Sequence, residues 1–104
     1  MLDRLEVQEA RDLLRHCLEN GLVIPGRHFR DELVREAVSM VDAWSVLKSG
    51  RIYNPPEFHV RSREWNYRIE GHEPGGKWLA VVFSFKAMDT TFLVTVFSIE
   101  SRKK

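Results

Sequence analysis

The sequence has 104 residues, of which 43% are hydrophobic and 30% are charged, and its formal net charge is +1. This length fits one domain, and this composition excludes a disordered chain. A single cysteine excludes an internal disulfide framework, and no apolar run approaches the roughly 20 residues that a membrane-spanning helix needs. We therefore expect a cytoplasmic domain without a membrane partner.

The first half of the chain is predicted to be helical. Apolar residues at helical spacing before Gly21 predict a first helix over about residues 3–20. "LVIPG" then reads as an extended connector that ends in a turn. A second apolar stripe predicts a helix over about residues 28–48, closed by Gly50. The stripe consists of Phe29, Leu33, Ala37, Met40, Trp44 and Leu47.

The second half is predicted to form strands. Pro55 and Pro56 confine "RIYNPPEFHV" to short pieces at a sheet edge. "EWNYRIEG" alternates as a half-exposed strand does, "WLAVVFSF" is apolar on both faces and therefore central, and "TFLVTVFSI" is a last apolar strand. The predicted fold is a single α+β domain over residues 1–104. Its two N-terminal helices pack on a three- to four-stranded antiparallel sheet over about residues 51–99.

Arg68 is the most interesting charged residue of the predicted sheet. The alternation places it with Asn66 and Glu70 on the face opposite Tyr67. With His72 from the following turn, an arginine in the middle of a sheet face would make an anion site. An ion pair with a carboxylate across the sheet explains the arginine equally well. The spacing leaves both interpretations open.

Other motifs are weaker. No pair of histidines has the spacing of a zinc site and one cysteine cannot supply the usual sulfur ligands, so we expect no metal and no cofactor. "EPGGK" lacks the spacing of a phosphate-binding loop and reads as a hairpin turn. Arg61 and Arg63 belong to a net positive segment. Such a segment can hold an RNA backbone, or it can simply keep a strand surface soluble.

The order of several short motifs resembles a known family. A start of the second helix that carries His28, Arg30 and Arg35 is followed by "VLKSG", "YRIEG", "LAVVF" and "LVTVF". Over about residues 27 to 98 this succession resembles the RelE/ParE-like toxin superfamily of bacterial toxin–antitoxin modules. The most similar branch is an uncharacterised group with a helix-start histidine and a terminal "TVF" strand.

The resemblance implies a function. Several branches of this superfamily are metal-independent endoribonucleases that act on mRNA, on the ribosome or free, and that are silenced by an antitoxin protein. By similarity, Arg68 would stabilise phosphate charge, His28 would be an acid or base, and Tyr67 would stack or donate a proton. Arg35, together with Arg61, Arg63 and His72, is then expected to bind substrate, and Thr95 and Phe97 to support the site.

The sequence also departs from the family pattern. Glu32 stands one turn after the histidine, where the family has an arginine, and the chain is less basic than most ribonuclease toxins. Two other functions therefore stay open: a non-enzymatic protein-binding module on the same scaffold, and a toxin directed at gyrase.

Overall fold

The computed structural model describes residues 2–100, and this range contains three helices and five strands. The helices are α1 (Val7–Asn20), α2 (Arg27–Arg35) and α3 (Met40–Ser49). The strands are β1 (Leu22–Pro25), β2 (Glu57–His59), β3 (Glu64–His72), β4 (Trp78–Ala87) and β5 (Thr90–Ser98). The predicted α+β class is confirmed, whereas the numbers of helices and strands differ from the prediction. None of the described helices is long and apolar enough to cross a membrane.

The predicted helix over residues 28–48 is wrong in its middle, where the chain breaks into α2 and α3. Ala37 adopts a left-handed backbone with φ of 56°. The N–H of Val38 donates to the carbonyl of Leu33, and that of Ala37 to the carbonyl of Val34, which is the hydrogen-bond pattern of a Schellman helix end. The apolar stripe continues across this break, so periodicity alone gave no sign of it.

A capping box restarts the helix at α3. The N–H of Asp42 donates to Ser39 Oγ at 3.1 Å, and the N–H of Ser39 donates to Asp42 Oδ2 at 3.0 Å. These reciprocal bonds satisfy two donors that a helix start would otherwise leave unpaired. The pattern Ser-x-x-Asp is visible in the sequence and was the local signal for the second helix start.

The sheet has five strands in the order β1-β5-β4-β3-β2. The strands β2 to β5 form the predicted antiparallel meander, with β2 at an edge and the strongly apolar β4 in the centre. The prediction of a purely antiparallel sheet is wrong, because "LVIP" is a strand and not a connector. This strand, β1, pairs in parallel with β5, with Leu22 beside Thr90 and Pro25 beside Leu93.

The core lies between the helices and one face of the sheet. Helix α1 contributes Ala10, Leu14 and Cys17, whose spacing of four and three residues forms one buried stripe. The matching face of β4 carries Phe83, which pairs with Tyr67 on β3 and with Leu93 on β5, all of them buried. Other buried residues on this face and on the helices are Phe29, Ala43, Val46, Leu47, Ile69, Leu79, Val81, Phe85 and Val96.

Helix α2 ends beside the second half of β5. Strand β1 pairs only with the first half of β5, and Glu36 Oε1 accepts a hydrogen bond of 2.9 Å from the N–H of Ser98 further along. The ammonium of Lys77 donates to the carbonyl oxygen of Glu36 at 2.7 Å. The end of α2 thus accepts a hydrogen bond from the N–H of Ser98, in the part of β5 that β1 does not pair with.

The carboxyl groups of Glu36 and Asp42 make the free energy of unfolding depend on pH in the acid range. Hydrogen bonds from Ser98 lower the pKa of Glu36, and hydrogen bonds from Ser39 lower the pKa of Asp42. A lowered pKa in the folded state means that the stabilisation is complete above the pKa of the unfolded chain. It is lost as the pH falls through the folded pKa. We expect the urea midpoint of the wild type to fall more between pH 6 and pH 3 than that of the double variant Glu36→Gln, Asp42→Asn.

The control for this prediction is the double variant Asp31→Asn, Glu57→Gln, because both of these carboxylates are exposed and accept no hydrogen bond within residues 2–100. Its midpoint should follow the wild type. An equal fall of the midpoint in wild type and in the Glu36/Asp42 variant would show that these caps carry no charge-dependent stability.

Candidate functional site

The face of the sheet opposite the core, here called the outer face, carries the polar side chains of β3. Strand register pairs Arg68 with Val82 on β4, and Val82 with Thr95 on β5. Asn66 and Glu70 flank Arg68 on the same face, because residues two apart in a strand point the same way. The predicted grouping of these three polar residues is confirmed.

A groove of about 300 Å³ runs along this face beside Arg68. Its floor comes from β3, β4 and β5, and one wall comes from the segment that leads into β2. No residue of a helix lines it. The lining residues are Asn54, Pro55, Glu57, Asn66, Tyr67, Arg68, Val82 and Phe97.

The guanidinium of Arg68 is held from two sides. Its Nε lies 2.8 Å from Oε2 of Glu70, whose side chain is only 2% exposed, and its Cζ lies 5.0 Å from the centroid of the Phe97 ring. The partner in the ion pair is on the same strand, not across the sheet as the sequence interpretation had it. The side chain of Arg68 remains 43% exposed. Glu70 engages the Nε atom, and Arg68 is one of the residues that line the groove.

The second cation of the outer face is engaged elsewhere. Lys86 Nζ lies 2.9 and 3.0 Å from the two carboxylate oxygens of Glu64, and Ser84 Oγ donates to the same carboxylate at 3.3 Å. The ammonium also lies 4.7 Å from the centroid of the Phe92 ring. Arg68 and Lys86 are thus each paired with one carboxylate and are equally exposed, and of the two only Arg68 lines the groove.

Tyr67 and His28, the other two predicted catalytic residues, are not brought together with Arg68. Tyr67 is buried on the core face, and its hydroxyl accepts a hydrogen bond of 2.9 Å from the N–H of Leu5. Burial raises the pKa of this phenol, and the bond from Leu5 opposes that shift. His28 is exposed in the first turn of α2 and is not among the residues that line the groove.

The predicted substrate-binding residues occupy separate places. Arg61 and Arg63 lie at the exposed turn between β2 and β3, where Arg63 adopts a φ of 59°. His72 is at the other end of β3, and a rise of about 3.3 Å per residue puts the two ends of this strand roughly 26 Å apart.

Arg35 is the fourth of these residues and is bound locally at the end of α2. Its Nη1 lies 2.7 Å from Oε2 of Glu32, although the pair lacks the geometry of a hydrogen bond. Glu32 is thus nearly buried and neutralised within its own helix. The four residues do not form one binding surface.

The structure also reveals a cleft of about 310 Å³ that the sequence interpretation missed. It is lined by α1 and α3 alone, through Arg11, Arg15, Leu18, Glu19, Trp44 and Lys48. We call it the interhelix cleft. Only the packing of the two helices shows that the arginines of α1 share a cleft with Trp44 and Lys48. The one signal in the sequence was the spacing of four residues between Arg11 and Arg15, which puts like charges on one helical face.

Arg11 is the fixed member of the interhelix cleft. Its Nη1 and Nη2 donate to the carbonyl oxygens of Leu47 and Lys48 at 3.2 and 3.0 Å, at the end of α3. Burial lowers the pKa of its guanidinium, and the nearby Arg15 lowers it further. Within residues 2–100, no ion pair engages Arg15, Lys48 or Glu19. Three cationic residues and one carboxylate thus line the cleft, and the nearby Asp12 opposes the lowering of the Arg11 pKa.

Cys17 and the acidic residues offer no comparable site. The thiol is 1% exposed and its pKa is raised, chiefly by burial, so little of the reactive thiolate forms near neutral pH. Across the described residues, no group of three or more histidine, cysteine and acidic side chains is arranged to hold a metal ion.

No family model, no curated protein and no solved structure matches the chain.

Proposed function

We propose that the protein is the toxin of a toxin–antitoxin module and cleaves mRNA without a metal ion. The observation that carries this proposal is the accessible guanidinium of Arg68, which is stacked on Phe97 at the floor of the outer-face groove. An arginine that is anchored through Nε offers its two terminal nitrogens as a fork for phosphate oxygens. The resemblance of residues 27 to 98 to RelE-like toxins supplies the reaction class.

The proposed chemistry is attack of a ribose 2′-hydroxyl on the adjacent phosphorus. The bond to the 5′-oxygen of the next nucleotide breaks, and the 2′-proton goes to a base while the leaving oxygen receives a proton. Arg68 stabilises the extra negative charge of the phosphorane, which preorganised cationic donors do most effectively in a partly enclosed site. Glu70 orients the guanidinium through its Nε atom.

The other predicted residues have different roles in this proposal. Tyr67 acts beneath the groove as packing, since its hydroxyl is occupied by the N–H of Leu5 on the core face. His28 remains the candidate acid or base. It reaches the RNA only when the RNA chain extends from the groove to the start of α2. Arg61 and Arg63 at the exposed turn would hold the RNA backbone and make binding sensitive to salt.

The test is cleavage of a labelled mRNA by purified protein in EDTA, with ribosomes added or omitted. We expect cleavage by the wild type and at least a tenfold loss in Arg68→Ala, which is about 1.4 kcal/mol of transition-state stabilisation. Arg68→Lys should restore little, because a point charge does not reproduce the fork. Arg15→Ala, an exposed arginine of α1, is the matched control and should cleave like the wild type, because this helix lines no part of the groove.

Loss of Arg68 also leaves the buried Glu70 without its guanidinium, so lower activity could reflect a weakened fold. The double variant Arg68→Ala, Glu70→Gln removes that charge, and its circular dichroism spectrum and thermal midpoint report whether it is folded. A folded double variant that cleaves as fast as the wild type contradicts the proposed role of Arg68. A folded wild type that cleaves no RNA in either condition contradicts the proposed activity.

A non-enzymatic protein-binding module is the second candidate, and exposed apolar side chains at both sheet edges favour it. Leu22 and Ile24 on β1 are 60% and 42% exposed, and Phe58 and Val60 at β2 are 45% and 78% exposed. Edge strands with apolar side chains are suited to pairing with a strand of another protein. This candidate predicts no RNA cleavage, together with loss of partner binding in a Phe58→Ser, Val60→Ser variant, measured against a purified partner.

A further inference from the structure

We propose that the interhelix cleft is a second ligand site, separate from the outer-face groove, and that it binds a nucleoside monophosphate. Its volume of about 310 Å³ lies at the lower end of the range of about 300–1,000 Å³ typical of small-molecule sites. It is lined by helices α1 and α3, whereas the groove beside Arg68 has no helical lining. The proposal therefore does not depend on the proposed ribonuclease activity.

The charge of the cleft calls for an anion. Arg11, Arg15 and Lys48 face a single carboxylate, Glu19, and no ion pair within the described chain neutralises Arg15 or Lys48. Arg11 is held in place by the carbonyls of Leu47 and Lys48. Two cations one helical turn apart repel each other, and a dianion between them would turn this repulsion into attraction.

The lining of the cleft changes along the two helices. Arg11 contacts the end of α3 at Lys48, and Leu18 lies seven residues further along α1, or about 10 Å at a rise of 1.5 Å per residue. Trp44 lies one turn, about 6 Å, before Lys48 on α3. Arg15 lies about 6 Å beyond Arg11 on α1, level with Trp44. The cleft thus runs from a cationic end at Arg11 and Lys48, past Arg15 beside the indole, to an end that carries Leu18 and Glu19.

A nucleoside monophosphate matches this division. Its phosphate carries two negative charges for Arg11, Arg15 and Lys48, and its base is a flat ring of the kind that stacks on tryptophan. Glu19 at the apolar end accepts hydrogen bonds from a sugar hydroxyl or an exocyclic amine, and it repels a second anionic group. A ligand with one phosphate and one aromatic ring satisfies all of these groups, whereas a free phosphate leaves the indole uncovered.

The test is a titration of ¹⁵N-labelled protein with AMP, followed by the indole N–H resonance of Trp44, which a Trp44→Phe variant assigns among the three tryptophans. We expect a saturable shift with a Kd of about 1 mM or tighter. The double variant Arg15→Ala, Lys48→Ala should weaken binding at least tenfold, since both side chains are exposed and their removal leaves the core intact. Arg30→Ala should bind like the wild type.

Adenosine and inorganic phosphate are titrated separately under the same conditions. Each should bind at least tenfold more weakly than AMP, because each engages only one end of the cleft. The proposal is overturned if AMP leaves the Trp44 indole unchanged at about 10 mM. It is also overturned if phosphate alone binds as tightly as AMP, or if the Arg15/Lys48 variant keeps the wild-type affinity.

Discussion

Replacing Phe83 with alanine is expected to lower the free energy of unfolding by about 3–5 kcal/mol. Phe83 is fully buried in the central strand β4, and its ring centroid lies 5.7 Å from that of Tyr67 and 5.5 Å from that of Phe85. The variant loses the burial of a large ring and its aromatic contacts, and it leaves a cavity that β3 and β5 cannot close from either side. Small domains have only about 5–15 kcal/mol of stability, so this change removes a large share.

The measurement is urea denaturation of wild type and variant, followed by circular dichroism. Phe58→Ala is the matched control, because it also removes a phenylalanine ring, but from the edge strand β2. Phe58 is 45% exposed there and makes an edge-on ring contact with Trp65. The control should lose less than about 1.5 kcal/mol. A loss of similar size in both variants would mean that β4 is not the centre of the core.

Replacing Gly50 with alanine is expected to cost about 3 kcal/mol through overpacking alone. A Cβ at this position would lie 2.6 Å from the carbonyl oxygen of Val46 and 2.7 Å from that of Glu70. Both are backbone atoms of α3 and β3, so no side-chain rotation relieves the contact. The φ of Gly50 is −74°, which any residue adopts, and the cost is therefore one of space and not of backbone strain.

Gly75→Ala provides the control for this substitution. A Cβ at Gly75 would meet only the carboxylate of Glu73, the far end of a flexible side chain, at 2.9 Å. Thermal unfolding of the two variants should therefore give a large decrease for Gly50→Ala and a small one for Gly75→Ala. Equal midpoints would mean that α3 and β3 approach each other less closely than in the structure.

The strands of the second half could be predicted because their signals are local. Alternation around Tyr67 placed it opposite Arg68, and the continuous apolar run of β4 indicated a central strand. Strand β1 could not be recognised in the same way. It has four residues and ends in proline, and its partner lies at residues 90–93, so only the long-range pairing distinguishes it from a connector.

The candidate sites show the same division between local and long-range information. The neighbours of Arg68 on its own strand followed from the period of two, whereas its stacking on Phe97 depends on the order and register of three strands. The interhelix cleft depends on how α1 crosses α3, which no pattern within either helix specifies. The helix break at Ala37 had a local signal, the capping box at Ser39. The continuous apolar stripe across the break pointed to a single helix instead.

The parallel pairing of β1 with β5 has a consequence for how the chain folds. Leu22 meets Thr90, so roughly 70 residues separate two neighbours in the sheet. Contacts that span so much of a chain close a long loop before they gain stability, and they slow folding. During synthesis, α1 and β1 leave the ribosome well before β5 exists. The backbone donors and acceptors of β1 then stay without their sheet partner until β5 is made, which is the interval in which a nascent chain of this topology is most exposed to aggregation.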